Sequence, residues 1–319
     1  MTIWPGAKCL RQTRLRKIMA EIPFNRDFEA SPGKAESVST LVTRVLAPNP
    51  SPFTFRGTCS YVIGRRSVAV IDPGPADPVH IAAIERAIAG RHVAHIMVTH
   101  THRDHSPGAR LLQERTGGTI IASGPHRTRP VSGETTALDA AGDLDFAPDQ
   151  AVAHAEHIEG DGYTFECVFT PGHTANHMAF SLREERALFS GDHVMAWSTS
   201  VVAPPDGDMG AYMTSLSLLR ERDDRVYWPG HGGPVVNPTA FVRAFITHRR
   251  MREAAILKRL ERGDTSIPEI VAAIYENLPA GLTAAAGLSV FAHLVDLAAR
   301  GAVVCDDAEP QIGSRYRLA

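Results

Sequence analysis

The sequence has few cysteines and no long apolar run, and both absences narrow the classes of protein it can encode. Its 319 residues include four cysteines, which lie far apart without a C-x-x-C pair: Cys9, Cys59, Cys167 and Cys305. In a chain of this size such spacing is typical of reduced thiols, so a cytosolic protein is favoured over a secreted disulfide scaffold. No apolar run reaches the ~18 residues of a membrane span.

The first twenty residues lack the apolar core of a secretory signal. They carry five basic side chains before any acidic residue appears: Lys8, Arg11, Arg14, Arg16 and Lys17. A frayed tail or an extended start is the favoured interpretation, and an organelle transit peptide is the alternative. Residues 1–37 as a whole are predicted to be a poorly ordered lead-in.

A strong excess of one charge is also missing. Lys and Arg number 33 against 35 Asp and Glu, which gives a formal net charge of −2 at pH 7. We therefore expect no general attraction to nucleic acid or to anionic membranes, although a local basic groove can exist within a neutral total. Apolar residues at 44% and charged residues at 21% describe an ordinary globular chain, long enough for one large α/β domain and a small one.

The most informative stretch places four metal-competent side chains within six residues, directly after an apolar run: His100, His102, Asp104 and His105. In an extended segment alternate side chains share a face, so His100, His102 and Asp104 can project to one side. His105 breaks the alternation and can face a second point if the chain turns at Ser106-Pro107-Gly108. Surplus imidazoles beside a carboxylate cost stability without a metal, so the cluster predicts a strand end that serves two metal ions.

The same arrangement occurs at three later positions. In each, a short apolar strand is followed by a turn of small residues that carries one side chain able to bind metal. The side chains are His173 in T-P-G-H-T, Asp192 in S-G-D-H and His231 in P-G-H-G. Strands that alternate with helices, with polar residues gathered at the strand ends, predict a layered α/β core with one site along a common sheet edge.

Together the four motifs resemble the metallo-β-lactamase superfamily, whose fold is an αββα sandwich. The resemblance implies two metal sites that share one bridging carboxylate. The first would be bound by His100, His102 and His173, the second by Asp104, His105 and His231, with Asp192 as the bridge. Three imidazoles and a carboxylate suit Zn²⁺, whereas the second site has two carboxylates, is harder, and could take Mn²⁺ or Fe²⁺ instead.

A dinuclear site of this kind predicts a hydrolase. A water that bridges two divalent ions has its pKa lowered toward neutrality, which gives a hydroxide nucleophile without a strong protein base. Asp104 would orient this hydroxide, so Asp104 and Asp192 are the predicted catalytic carboxylates. Asp192 stands where many true β-lactamases of the superfamily carry a cysteine, which disfavours antibiotic hydrolysis and favours the glyoxalase II, lactonase and ribonuclease branches.

Longer matches over about residues 40–319 resemble the lactamase-beta-2-like group, which includes a zinc-dependent endoribonuclease for single-stranded RNA. They include residues 55–58, residues 173–178, His248-Arg249 and Arg252-Glu253. The resemblance implies a phosphodiesterase acting on single-stranded RNA, and a small-molecule hydrolase of thioesters or lactones is the alternative. Six basic side chains of one predicted helix either line an RNA channel or form a solvated helix face: Arg249, Arg250, Arg252, Lys258, Arg259 and Arg262.

The last part of the chain has the element order of a winged helix. Helices are predicted over residues 245–262, 266–275 and 282–300, the second opened by a Ser266–Glu269 capping box, and a terminal hairpin follows. We therefore divide the chain into a lead-in (1–37), a catalytic domain (38–242) and a winged-helix domain (243–319). Because the front half of the third helix has no Arg or Lys, sequence-specific DNA binding is not expected. An oligomer is compatible with the sequence.

Four residues near the motifs have roles that the sequence indicates less directly. Asp72 is expected to hydrogen-bond the loop of the site rather than bind metal. His177 either orients a ligand or touches substrate, or is a structural histidine behind the site. His193 is expected to face away because side chains alternate along an extended segment. Tyr212 is expected in the core, with the wall of the cleft as the alternative.

Overall fold

The computed structural model describes residues 22–127, 142–275 and 280–319. The strands are β1 (Ala35–Ser37), β2 (Val42–Leu46), β3 (Cys59–Ile63), β4 (Ser67–Ile71), β5 (His92–Met97), β6 (Thr119–Ala122), β7 (Gln150–Ala151), β8 (His157–Gly160), β9 (Tyr163–Phe169), β10 (Met178–Leu182), β11 (Ala187–Gly191), β12 (Val226–Pro229), β13 (Val235–Val236), β14 (Val303–Cys305) and β15 (Tyr316–Leu318). The helices are α1 (Pro78–Ile88), α2 (Gly108–Thr116), α3 (Met209–Arg220), α4 (Pro238–Glu261), α5 (Ile267–Ile274) and α6 (Thr283–Ala299).

The first sheet contains β1 to β7 in chain order. Its first four strands pair antiparallel, and the β3–β4 hairpin turns at Arg65-Arg66. From β4 to β7 the pairing is parallel. Parallel neighbours need crossover connections, and α1 and α2 provide them between β4 and β5 and between β5 and β6. The carboxyl ends of β4, β5 and β6 therefore lie at the same end of the sheet.

The second sheet has the order β13-β12-β11-β10-β9-β8. All neighbours pair antiparallel except β11 and β12, which run parallel and are joined through α3. Strands β11 and β12 thus also end side by side. Both sheets consequently deliver loops to one end of the molecule.

The two sheets pack face to face, with helices on both outer faces. Aromatic side chains of both sheets fill the space between them: Tyr61, Phe165, Phe180, Phe189 and Trp228. Burial of each such side chain contributes roughly 1.5–3 kcal/mol. Helices α1 and α2 cover the first sheet, and α3 with the first half of α4 covers the second. The predicted αββα sandwich is therefore confirmed.

Residues 22–37, predicted to belong to a poorly ordered lead-in, lie against the first sheet. Strand β1 pairs with β2, and Pro32 forms a bridge to Leu46. Phe28 is buried in the core between the sheets, and the Arg44 guanidinium lies 4.6 Å from its ring centroid. Composition does not reveal this order because pairing at a sheet edge supplies backbone partners to almost any sequence. Residues 1–21 of the predicted lead-in lie outside the described residues, as do residues 128–141 and 276–279.

The C-terminal part contains the predicted three helices and hairpin. Helices α4, α5 and α6 pack with the β14–β15 hairpin around a separate apolar core. The predicted division between residues 242 and 243 falls within α4, which is continuous from Pro238 to Glu261. Phe245 on this helix packs against the second sheet, whereas Ile256 and Leu260 pack in the C-terminal core. One helix thus contributes to both cores, and the domain division itself stays a prediction.

Among the helices of the described residues, none combines the length and the apolar character that a membrane crossing requires.

The capping box of α5 provides a test of the C-terminal core. Ser266 caps this helix through reciprocal hydrogen bonds with Glu269, so Ser266→Ala should lower the free energy of unfolding by about 1 kcal/mol. The control is Ser217→Ala within α3, where the hydroxyl bonds only the Met213 carbonyl of its own helix and alanine has the higher helix propensity. Urea unfolding followed by circular dichroism measures both. Equal losses in the two variants would contradict the capping role.

Candidate metal centre

The sequence motifs meet where strands of both sheets end. His100 lies three residues after β5, in the loop that leads to α2. From the second sheet, His173 follows β9, Asp192 directly follows β11 and His231 follows β12. The strands themselves are buried, so charged and metal-competent side chains are confined to these loops.

Three imidazoles form the first half of the cluster. Nδ1 of His102 lies 3.1 Å from Nε2 of His100 and 3.1 Å from Nε2 of His173. The ring planes are nearly perpendicular, at 80° for His100 and His102 and 85° for His102 and His173. Since a neutral imidazole has a single N–H, the three inward nitrogens can offer lone pairs to one shared cation.

Asp104, His105 and His231 form the second half. Oδ2 of Asp104 lies 3.1 Å from Nε2 of His231 and 3.3 Å from Nε2 of His105. Asp192 lies between the halves, with Oδ2 at 3.3 Å from Nε2 of His231 and 3.8 Å from Nε2 of His173. The structure thus brings all seven sequence-predicted residues together. Three sets have ligand atoms within 4.8 Å of one another: His100, His102 and His173; His100, His105 and Asp192; Asp104, His105 and His231.

The outer edges of the imidazoles are tied to the surrounding backbone. Nδ1 of His173 lies 2.6 Å from the Val201 carbonyl oxygen, and Nδ1 of His231 lies 3.1 Å from that of Gly57. A carbonyl oxygen only accepts, so both rings donate from Nδ1 and present Nε2 to the centre. Such outer hydrogen bonds fix the orientation of an imidazole for metal binding.

Asp72 contacts residues of the cluster but does not belong to any of the candidate metal-binding sets. Its carboxylate accepts hydrogen bonds from the backbone N–H and the hydroxyl of Thr99, both at 2.8 Å. Its Oδ2 also lies 2.9 Å from Nδ1 of His105. The prediction that Asp72 hydrogen-bonds the loop of the site is therefore confirmed, and the same contact orients His105.

Charge within the cluster shifts the pKa values of its members in opposite directions. Burial, followed by the neighbouring imidazoles, lowers the pKa of His100 well below its usual range. Burial also acts to lower the pKa of His231, but the Asp192 and Asp104 carboxylates outweigh it and raise the pKa to about 10. Despite burial, the nearby imidazoles of His231 and His105 hold the pKa of Asp192 well below its usual range. The carboxylates therefore draw positive charge to the centre, which a divalent cation can supply in place of protons.

One carboxylate oxygen of Asp192 also indicates that the cluster is suited to a bound cation. Its Oδ1 is buried and has no hydrogen-bond partner within residues 22–127, 142–275 and 280–319. Nε2 of His105 lies 3.6 Å from this oxygen, too far for a hydrogen bond, so Oδ1 has a desolvation cost that a bound cation would remove. The donor set of imidazole nitrogens and carboxylate oxygens therefore fits divalent cations.

Gly230 leaves the space in which the side chains of Asp192 and His105 approach each other. A Cβ atom at this position would lie 2.6 Å from Oδ1 of Asp192 and 2.6 Å from Cε1 of His105. Both distances are shorter than van der Waals contact, so any larger residue would displace these two side chains.

His177, His193 and Tyr212, whose roles the sequence indicates less directly, lie in the interior around the cluster. His177 is fully buried, and its Nδ1 lies 2.8 Å from the Thr170 hydroxyl, which favours a structural role behind the site. His193 faces away from the centre, as predicted, with its ring stacked 4.5 Å from that of Tyr212. The Tyr212 hydroxyl donates to the His193 carbonyl at 2.8 Å, and the side chain is buried in the core.

The cluster opens into a cleft of about 1250 Å³ that extends to the C-terminal helices. Five cluster residues line one end of the cleft: His102, Asp104, His173, Asp192 and His231. Apolar side chains of α5, α6 and the turn before α6 line the other end: Ile267, Val271, Leu282, Ala286 and Leu288. The active-site cleft is therefore shared by the sandwich and the C-terminal part.

Sequence reasoning missed two residues that shape this cleft. The Trp197 ring lines the cleft and stacks 4.9 Å from Phe55. Oγ of Ser200 lies 2.5 Å from the Asp192 carbonyl oxygen and 2.6 Å from that of His193, so its single O–H is shared between the two and anchors the loop after β11. Neither residue belongs to a recognisable motif, so no signal in the sequence marks them.

Two family models match the chain. The metallo-beta-lactamase superfamily model covers residues 53–231, and the model of the beta-lactamase associated winged helix domain covers residues 266–310. The chain belongs to the metallo-beta-lactamase superfamily. It is accordingly an enzyme, a hydrolase of this superfamily with a C-terminal winged helix domain. Members of the superfamily typically bind metal ions, and the His/Asp cluster provides candidate sites for them.

Similar proteins include both lactamase-like proteins and a thioesterase. The beta-lactamase-like protein 2 homolog of Caenorhabditis elegans is 31% identical over 76% of this chain and 79% of its own length. An atrochrysone carboxyl ACP thioesterase of Aspergillus chevalieri is 28% identical over 76% of each chain. Among solved structures, a beta-lactamase domain protein of Burkholderia ambifaria superposes with a TM-score of 0.75 at 19% identity, covering 92% of this chain and 96% of that one. This last likeness supports the superfamily fold.

Gly230 offers a test of the cluster geometry with a control on the same loop. Gly230→Ala should separate Asp192 from His105 and lower the amount of divalent metal retained after dialysis against metal-free buffer. Gly233→Ala is the matched control, because its Cβ would meet only Phe28 at an ordinary 3.6 Å. Elemental analysis gives the metal content, and circular dichroism shows that both variants fold. Full retention of metal by Gly230→Ala would show that the close approach is dispensable.

Proposed function

We propose that the cluster holds two divalent ions and that the enzyme hydrolyses acyl compounds, with thioesters as the first choice. His100, His102 and His173 would hold the first ion, Asp104, His105 and His231 the second, and Asp192 both. The position of Asp192 between the halves of the cluster supports this assignment. When bound, such ions supply Lewis acidity, which activates a water molecule and polarises the bond to be cleaved.

Zn²⁺ is the proposed ion at the first site because three imidazole nitrogens and one carboxylate oxygen suit a borderline cation. The second site combines Asp104 and Asp192 with two imidazoles. Its larger share of carboxylate oxygen suits Zn²⁺ and also accommodates Mn²⁺ or Fe²⁺.

Asp104 is the proposed residue that orients the attacking water. Its side chain is 27% exposed, against 10% for Asp192, and it lines the cleft. Oδ2 accepts a weak hydrogen bond from the Thr58 hydroxyl at 3.4 Å, which leaves Oδ1 as an acceptor for a proton of the water. Asp192 is buried more deeply, and its proposed role is to hold the two halves together.

The apolar lining at one end of the cleft is the observation that favours an acyl compound as substrate. The part of the cleft lined by Ile267, Val271 and Leu288 suits an apolar chain better than a ribose-phosphate backbone, because these side chains cannot pair with phosphates or hydroxyls. The relative from Aspergillus chevalieri is named a thioesterase, which is consistent with this choice.

Single-stranded RNA is the second candidate substrate, since two arginines of α4 line the cleft, Arg249 and Arg252. The other basic side chains predicted for an RNA channel do not line it. Arg250, Lys258 and Arg262 are exposed elsewhere, and Arg259 forms an ion pair with Asp264. The basic face of α4 therefore gives RNA limited support, and RNA cleavage stays a prediction.

The cytosolic location and the domain division also stay predictions. Cys59, Cys167 and Cys305 are free, which supports a reducing compartment because secreted proteins of this kind usually form disulfides. For the domains, we propose that the winged-helix part begins within α4 and shapes substrate binding.

The substrate class can be tested with a panel. Protein with counted metal is assayed against an acyl thioester, a lactone and a fluorescent single-stranded RNA, with EDTA-treated protein beside it. We expect EDTA-sensitive thioester hydrolysis that falls by more than about 100-fold in Asp192→Ala, since loss of outer partners alone costs roughly 10–100-fold. The control, Asp223→Ala, removes a carboxylate that is 88% exposed and far from the cluster. EDTA-sensitive RNA cleavage without thioester or lactone turnover would overturn the acyl proposal.

The role of Asp104 can be separated from metal binding. Asp104→Asn keeps the shape of the side chain but weakens it as a proton acceptor, so kcat should fall by about 100-fold, within the range of general acid–base contributions. Metal content and KM are measured on the same preparation. A variant that keeps both ions and full turnover would rule out the proposed orienting role.

A further inference from the structure

Arg249 carries a positive charge into the interior of the molecule. The residue is 3% exposed, yet its side chain borders the cleft. Nη2 donates to the Ser200 carbonyl at 2.5 Å and Nη1 to the Ser289 hydroxyl at 3.4 Å, while the guanidinium lies 5.1 Å from the ring centroid of Tyr212. Nε has no hydrogen-bond partner among the described residues. Every partner of this charge is therefore neutral.

Arg252 adds a second guanidinium on the same face of α4, three residues further on. Nη1 donates to the Ile274 carbonyl at 3.1 Å, and the guanidinium lies 4.1 Å from the ring centroid of Tyr275. Its Nε is also buried and lacks a partner within the described ranges. Arg252 is half-buried and borders the cleft, so a ligand can reach it.

The described residues place no carboxylate in an ion pair with either arginine. Glu253, the next residue, pairs instead with Arg300 at 2.6 Å. The acidic side chains of the cleft belong to its other end: Asp104 and Asp192 in the cluster, and Asp206, which accepts from the Ala175 N–H at 2.9 Å. A buried guanidinium that meets only neutral groups carries a desolvation cost that an anion would offset.

These two charges lie beside the apolar end of the cleft. Ile274 and Tyr275, which contact Arg252, follow Val271 at the end of α5, and Ser289, which contacts Arg249, follows Leu288 on α6. Val271 and Leu288 are apolar wall residues of the same cleft. A ligand that fills this space would therefore meet two cations and an apolar surface together.

We propose that Arg249 and Arg252 form a subsite for an oxyanion, a carboxylate or a phosphate, carried by a substrate whose apolar chain lies against α5 and α6. The inference rests on the proposed function in that it names the substrate class of that cleft: an acidic acyl compound with a long apolar part. The Arg252 guanidinium uses Nη1 for the Ile274 carbonyl, so its remaining Nη N–H groups can donate to an anion in the cleft.

The test uses three eight-carbon probes that share an apolar chain: octanoate, octyl phosphate and octanol. Calorimetry on metal-loaded protein should give tighter binding of at least one anionic probe than of octanol, by about tenfold, as expected for a hydrogen bond to a charged group. The tighter of the two anions identifies the group. Arg252→Met should reduce this preference several-fold, because only Arg249 remains, whereas Arg252→Lys, which keeps the charge, should retain more of it.

The control variant is Arg250→Met, which removes an exposed charge from the same helix outside the cleft. It should leave the preference for the anion unchanged. An anion that binds only to the metal ions would show the same preference in the Arg252→Met protein, and that result would overturn the inference. So would equal binding of octanol and both anions to the unaltered protein.

The outcome is independent of turnover. If no thioester or lactone is hydrolysed but the anion preference still depends on Arg252, the proposed function fails and the subsite stands. If acyl compounds are hydrolysed and Arg252→Met changes neither the probe preference nor the ratio of kcat/KM for an ω-carboxyl thioester to its neutral analogue, the subsite fails and the proposed function stands.

Discussion

The carboxylate of Asp192, held between two groups of imidazoles, is the interaction on which the site depends. It directly follows β11 of the second sheet and approaches His231 and His173 from that sheet and His105 from the first. Like-charged groups at this density repel one another, and buried carboxylates are costly to desolvate unless a cation compensates them. The packing of the two sheets keeps these groups together, and Gly230 leaves the space in which they meet.

The C-terminal part completes the cleft. Helix α4 contributes both to the core against the second sheet and to the C-terminal core, so it spans the two parts. Its Arg249 also bonds the Ser200 carbonyl, and the Ser200 hydroxyl bonds the carbonyl of Asp192. A short chain of hydrogen bonds therefore joins the winged helix to the cluster, and the same helix brings its two arginines into the substrate cleft.

Much of the fold and of the cluster could be predicted because the signals are local. Alternating apolar strands such as Tyr163–Phe169 and the Ser266–Glu269 capping box depend on neighbours in the sequence. The spacing of His100, His102 and Asp104 after a strand is equally local. The turns at later strand ends marked His173, Asp192 and His231, and the family resemblance assigned them as ligands. By contrast, the order of residues 22–37 and the continuity of α4 across residue 243 arise from contacts with distant strands, which periodicity does not record.

The residue pattern alone was sufficient to predict the superfamily, the layered architecture and the seven side chains of the cluster. Short motifs at strand ends can be recognised without knowing how the sheets pack. Which side chains line the cleft near the C-terminal helices was determined by tertiary packing. Arg249 and Arg250 are adjacent arginines on one helix, and only the way α4 lies against α6 and the Ser200 loop buries the first and exposes the second. A charge acquires its role from the groups that surround it, and those groups come from parts of the chain that only the fold brings together.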